Sequence, residues 1–249
     1  MRIFALADLH LAFSTPEKTM ESFGPVWHNY LEKIKQNWEK TVQKNDLVLL
    51  PGDISWAGKI EQAEADFQFL EKLPGTKLMV KGNHDHWWPS SAKLRAFLPP
   101  SIHFLSSDVF NFHGASIAGS RFWEAPDFNF NEYVTAPTIP RTEEQIKNNL
   151  KIYEKEMVRL KTSLSLLDPK AEVKIAMTHY PVISADLQPS QASLMLEKAG
   201  VSIAVFGHLH ALRPGKKMFG QTAQTKYLLC SADFLDFQPL KIFSKAPSL

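Results

Sequence analysis

Short apolar runs alternate with stretches in which apolar residues recur every three or four positions. Residues 2–7 are apolar almost throughout, as in a strand covered on both faces. Over residues 25–42, Trp27, Tyr30, Leu31, Ile34, Trp38 and Val42 fall at helical spacing, with Lys33, Lys35, Glu39 and Lys40 between them. Residues 47–50 predict a second buried strand. Ile60, Ala63, Phe67, Leu70 and Leu73 predict a second helix, closed by Pro74-Gly75, and residues 77–80 predict a third strand. The order β-α-β-α-β is that of a parallel sheet with crossover helices.

The second half is less regular. Residues 108–112 and 115–118 flank His113-Gly114 and predict a hairpin. Residues 119–140 hold Pro126, Pro137, Pro140 and five aromatics, the composition of a lid or binding loop. Thr142 and Gln145 fit a capping box. Behind it Ile146, Leu150, Tyr153, Met157, Leu160, Leu164 and Leu167 predict one long amphipathic helix docked on a sheet and stopped by Asp168-Pro169. Residues 173–177 and 201–206 predict strands, 191–199 a short helix with Gly200 just past its end, and 227–230 the last core strand. No repeat or change of composition divides the chain. The expectation is one domain over 1–249, with a loop-and-helix insertion around 119–168.

Composition sets bounds. At 44% hydrophobic and 22% charged residues, the chain suits one large α/β core. No run of about 18 apolar residues marks a membrane span, and the N-terminus enters a strand pattern without a secretory h-region. Cys230 has no partner for an internal disulfide and sits in an apolar run, so it is expected buried; a reducing cytoplasm fits. A formal net charge of +2 without a dense basic cluster leaves no clear nucleic-acid patch. Nothing in the pattern specifies an oligomeric state.

The chemistry gathers where apolar runs stop. Five predicted strands end in ligand-type residues: Asp8 and His10; Asp53; Asn83; His179; His208 and His210. In open α/β sheets such ends are where ligands bind. Asp8 and His10, two apart in an extended segment, would point the same way. His28, His86, His103 and His113 fall elsewhere and read as surface or core residues. Imidazole, carboxylate and amide oxygen without cysteine point to divalent metals. Seven ligands exceed one tetrahedral site and suit two ions sharing a carboxylate, with Asp53 the natural bridge.

Taken in order, Asp8-x-His10, Gly52-Asp53, Gly82-Asn83-His84-Asp85, His179 and Gly207-His208-x-His210 resemble the calcineurin-like metallophosphoesterase superfamily. Within it the chain is most similar to a bacterial branch of predicted phosphohydrolases of unassigned substrate. The resemblance implies an α/β fold, a four-layer α/β/β/α sandwich of two mixed sheets flanked by helices. It implies Asp8, His10, Asp53 and His210 on one ion, and Asp53, Asn83, His179 and His208 on the other. His84 corresponds to the family's non-ligand histidine near the scissile phosphate, with Asp85 behind it. Two cations about 3.5–4 Å apart can hold a bridging hydroxide near neutral pH and clamp a phosphate, and His84 would protonate the leaving group. Mn, Fe or Zn would suit the site.

The expected activity is hydrolysis of a small-molecule phosphoester, and a phosphodiester first. Two divalent ions bring four positive charges; Asp8, Asp53 and a hydroxide bring three negative ones, so a diester monoanion neutralises the sum. Phosphomonoesterases of the protein-phosphatase type usually carry Arg-Gly-Asn-His-Glu, where this chain has Lys81 and Asp85. A non-enzymatic scaffold on the same fold would typically have lost ligands. Arg121, at the start of the aromatic loop, is the candidate substrate contact outside the metals, since a guanidinium can grip two phosphate oxygens.

Overall fold

Apolar runs that need cover on both faces pair side by side, and two sheets result. The computed structural model describes residues 1–135, 140–222 and 224–245. The chain divides into two compact units, Met1–Phe104 with Cys230–Leu249, and Leu105–Leu229.

In the first unit β1 (Arg2–Ala5), β2 (Leu47–Leu50), β3 (Thr76–Met79) and β4 (Ile102–Phe104) run parallel, in that spatial order. A strand nearer the C-terminus, β11 (Leu240–Ser244), pairs antiparallel with the other side of β1. All four β2 residues are buried, which is why that run is apolar without alternation. Helices α1 (Tyr30–Thr41) and α2 (Glu64–Lys72) bury Tyr30, Ile34, Trp38, Phe67 and Leu70 in one core with Phe4, Val48 and Leu50. Trp38 also donates its indole N–H to the Pro74 carbonyl at 2.9 Å. The single helix expected over 25–42 is two pieces. A 3-10 turn, Pro25–Trp27, is separated from α1 by Asn29, whose left-handed backbone (φ +54°) interrupts the spiral. A short α3 (Ser91–Phe97) buries only Leu94 and so carries no apolar period to predict it.

Asp46 fixes the start of the sheet. Its carboxylate accepts bonds from the Arg2 backbone N–H (3.0 Å), Arg2 Nε (3.1 Å) and the Gln43 N–H (2.9 Å). Burial alone would raise this carboxyl; the Arg2 and Gln43 donors outweigh it and hold it below the usual carboxylate range.

In the second unit β5 (Val109–Phe112) and β6 (Ala115–Ser120) form the expected hairpin. Strands β7 (Val173–Thr178), β8 (Ile203–Phe206) and β10 (Lys226–Leu229) follow β6 in parallel, and β9 (Gly220–Gln221) edges β10 antiparallel. Helix α4 (Glu143–Ser165) opens with the predicted capping box: Thr142 Oγ1 accepts the Gln145 N–H at 3.2 Å, and Gln145 Oε1 the Thr142 N–H at 2.9 Å. Only its second half is docked. Met157, Leu160 and Leu164 are buried, whereas Ile146 and Leu150 are exposed. Its 23 residues measure about 35 Å, while β6, the strand it packs on, has six residues spanning about 20 Å. Ser163 pins the docked half: its hydroxyl accepts the Gly119 N–H at 2.8 Å and donates to the Asp108 carbonyl. Helix α5 (Gln191–Lys198) is followed by Gly200 at φ +76°, the left-handed residue foreseen there.

Both sheets are mixed and both carry flanking helices, as the resemblance implies. Pro137 of the 119–140 stretch lies outside the described residues. Among the described residues no helix is long and apolar enough to cross a membrane.

Candidate metal centre

In the first unit two strand-end loops are laced together by backbone bonds. The Asp8 N–H donates to the Gly52 carbonyl (3.0 Å), His10 N–H to Asp53 (3.0 Å), Leu11 N–H to Ile54 (2.9 Å), and Trp56 N–H back to Leu11 (2.9 Å). The segment 8–10 is not the extended one that the sequence led us to expect. Asp8, His10 and Asp53 all have left-handed backbones, at φ +58°, +46° and +52°. Such a conformation costs a non-glycine residue about 1–3 kcal/mol, and here it falls on three of the ligand-type residues. Asp8 and His10 offer ligand atoms within 4.8 Å of one another, and so do Asp8 and Asp53. His10 Nε2 lies 3.8 Å from Asp53 Oδ2. All three side chains are buried. Buried carboxylates held this close repel unless a cation lies between them, so the donor set fits a divalent metal.

Asp53 is seated on Gly82. A Cβ at position 82 would come within 2.0 Å of Asp53 Oδ1 and 2.2 Å of its backbone nitrogen, so only glycine admits the carboxylate. The same oxygen accepts the His84 N–H at 2.8 Å. Asn83 and His84 sit half-buried on this turn.

Two further carboxylates hold the loops without belonging to the ligand set. Asp85 is fully buried and accepts five N–H groups: Asp53 (3.0 Å), Ile54 (2.8 Å), Ser55 (3.2 Å), Gly82 (2.7 Å) and Trp87 Nε1 (3.0 Å). These donors fill both oxygens and tie the Asp53 loop to the Gly82 turn. Burial and the neighbouring Asp53 charge push its carboxyl up to about 6, against the pull of those donors. Asp66, on α2, accepts the Ser55 hydroxyl and the Phe13 N–H (2.9 Å), one from each loop, and burial raises its carboxyl. No local motif marks Asp66; it lies in an ordinary helical segment.

Three rings complete this rim. The Trp56 indole stacks on His10 at 4.9 Å and 20° and meets His84 at 4.4 Å and 52°; His10 and His84 are 5.7 Å apart. Trp56 carries no sequence signal of its own.

The second unit brings His179 and His208 together, with ring centroids 5.2 Å apart. His179 follows β7, fully buried, and its N–H donates to the Arg121 carbonyl at 3.0 Å. His208 has a left-handed backbone (φ +73°) and packs on Tyr180 at 4.0 Å. His210 follows, half-buried. Arg121 is held from two sides: Nη2 lies 3.1 Å from the buried Glu156 carboxylate, and its guanidinium covers Trp123 at 4.4 Å. Glu156 also pairs with Arg159 at 2.6 Å. His28, His86, His103 and His113, which fit no strand end, are exposed.

A family model for calcineurin-like phosphoesterases matches residues 1–212. The Gene 66 protein of Mycobacterium phage D29 is 31% identical over 87 residues, 35% of this chain; the matched stretch spans 42% of that curated relative's length. Among solved structures, a phosphopantetheinyl hydrolase (PptH) from Mycobacterium tuberculosis is 12% identical, with 99% of this chain and 98% of that one covered and a TM-score of 0.53. GAP50, the anchor in the inner membrane complex of Plasmodium, is 14% identical, with 94% and 72% covered and a TM-score of 0.50. At these identities the likeness is one of fold.

Proposed function

This chain belongs to the calcineurin-like phosphoesterase family, and we propose that it hydrolyses phosphodiesters with the help of two divalent ions. In this reading Asp8, His10, Asp53 and His210 hold one ion, and Asp53, Asn83, His179 and His208 hold the other. When bound, the ions would activate water near neutral pH and neutralise charge on the phosphate. Everything else falls to the chain's own residues. Asp53 is the shared ligand, kept in place by its seat on Gly82. His84 delivers a proton from its ring to the leaving oxygen. Asp85 acts through the backbone, holding the Asp53 loop and the Gly82 turn in one arrangement. Arg121, already oriented by Glu156 and Trp123, receives the far side of the substrate.

The observation that carries this reading is the cluster of Asp8, His10 and Asp53, three buried ligand-type residues each in a left-handed backbone. The ion preference follows from the donors: imidazole-rich sites suit Mn²⁺, Fe or Zn²⁺ better than Mg²⁺. Diesters are favoured because Asp8 and Asp53 together offset only half of the charge of two divalent ions, and a monoanion completes the balance with an activated water. The single buried cysteine, Cys230, suits a reducing cytoplasm.

The deciding experiment combines metal analysis with turnover. Protein loaded with Mn²⁺ should carry two ions per chain and cleave bis-p-nitrophenyl phosphate faster than p-nitrophenyl phosphate. Asp53→Ala should lose both ions; a variant that keeps two would remove Asp53 from the bridge. His84→Ala should keep its ions and lose about 10²–10⁴-fold in rate on an alkyl leaving group, and much less on p-nitrophenolate, which leaves unprotonated. Arg121→Ala should raise KM or lower kcat at unchanged metal content, and wild-type kinetics would return Arg121 to a purely structural role.

A further inference from the structure

We propose that Trp56, stacked on His10, is a positioning residue for His84, a clamp that sets the angle of the proton-donating ring. The inference rests on the hydrolase reading above for what the ring angle is used for, but the clamp itself rests on geometry.

An imidazole turns about two side-chain bonds, and the second has a broad, shallow preference. His84 is half-buried on a turn, so its backbone alone does not fix the ring. Trp56 supplies a fixed wall. Its own backbone is anchored by the N–H bond to Leu11, and the residue before it, Ser55, is gripped by Asp85 through its N–H and by Asp66 through its hydroxyl. From that anchored position the indole stacks nearly parallel on His10 and leans on His84. Trp27 also approaches His10, edge-on at 6.1 Å, but Trp56 meets both histidines.

The indole is not kept for its N–H. Among the described residues Trp56 Nε1 is buried without a hydrogen-bond partner, a placement that is destabilising in itself. A large flat face against two imidazoles is what the position retains, and aromatic contacts of this kind stabilise beyond area burial. A phenyl ring keeps part of that face; an aliphatic side chain keeps none of its flatness.

The test compares the wild-type chain with Trp56→Phe and Trp56→Leu, all Mn²⁺-loaded, on two diesters that differ in leaving group, p-nitrophenolate and a simple alkanol. Trp56→Leu should lose about 10-fold in kcat on the alkanol ester, a part of the 10²–10⁴-fold that general acid catalysis supplies. On the p-nitrophenyl ester it should change little, with KM and metal content as in wild type. Trp56→Phe should recover most of the loss. Equal losses on both esters, or lost metal, would mean that Trp56 only packs the site and would overturn the proposal. A second readout needs no turnover. In the Zn²⁺-loaded protein with labelled histidine, the ring protons of His84 and His10 should shift in Trp56→Leu as the indole ring current disappears, while exposed His28 stays in place. An unmoved His84 resonance overturns the clamp whatever the activity. An inactive wild-type protein whose His84 resonance still moves would instead overturn the hydrolase reading and leave the clamp standing.

Discussion

At the residue scale, the seat of Asp53 on Gly82 leaves no room for a side chain and offers the sharpest single-residue test. A methyl group at position 82 would overlap Asp53 Oδ1, so Gly82→Ala must displace the carboxylate that both ions would share. Expected is a folded protein with near-native circular dichroism and under half the wild-type metal content. Full metal content in Gly82→Ala would show that Asp53 has slack. Asp46 allows a pH test away from the site. Its carboxyl is held below the ordinary value in the folded chain, so the folded state favours the ionised form. That contribution is complete above the unfolded pKa, near 3.9, and is lost as pH falls through the lower, folded value. Asp46→Asn should therefore destabilise the chain near neutral pH by about 1.5–3 kcal/mol, the range for bonds to charged groups. The gap from wild type should narrow below about pH 4. Urea unfolding of both proteins at pH 7 and pH 3 reads this directly.

At the scale of elements, α4 is held by a few points along half its length. Ser163→Ala leaves the buried Gly119 N–H unsatisfied and should cost about 1–3 kcal/mol. Thr142→Ala, at an exposed cap, should cost about 1 kcal/mol. Thermal melts that rank these two in the reverse order would show that the free half of α4 matters more than the docked half. Elements whose signal is local could be read from the sequence. Apolar runs gave β1, β2, β3, β7 and β8, and Thr142 with Gln145 gave the start of α4. The strand-end motifs brought Asp8, His10, Asp53, Asn83 and His84 to one rim of the first unit. Elements defined by their neighbours could not be read. Strand β11 is half-exposed and alternates imperfectly, β4 has three residues, and α3 buries one side chain. Asn29 looks helical by spacing and turns left-handed. Asp66 and Trp56 act on residues far away in sequence or through a ring contact, and no motif encodes either.

For the molecule as a whole, the proposed ions should be part of the fold. A ligand that binds only the folded chain stabilises it by about 2.7 kcal/mol at a hundredfold excess over Kd. Chelation should lower the melting temperature, added Mn²⁺ should restore it, and Asp53→Ala should melt at one temperature with or without chelator. A chelator-insensitive wild-type melt would argue against tightly held metal.

The pairing of β1 with β11 also has a meaning in time. The strand that leads into Asp8 and His10 lies between β2 and a partner about 190 residues further along. At roughly 5–20 residues per second of synthesis, β1 waits on the order of 10–40 s with one edge open after β2 has emerged. During that interval its unpaired N–H and C=O groups are a template for another chain. Completion of the first unit is thus gated by the delivery of residues 240–244. A chain ended at Gln238 should leave that edge open for good and collect in the insoluble fraction, and separately supplied peptide 239–245 should return part of it to solution.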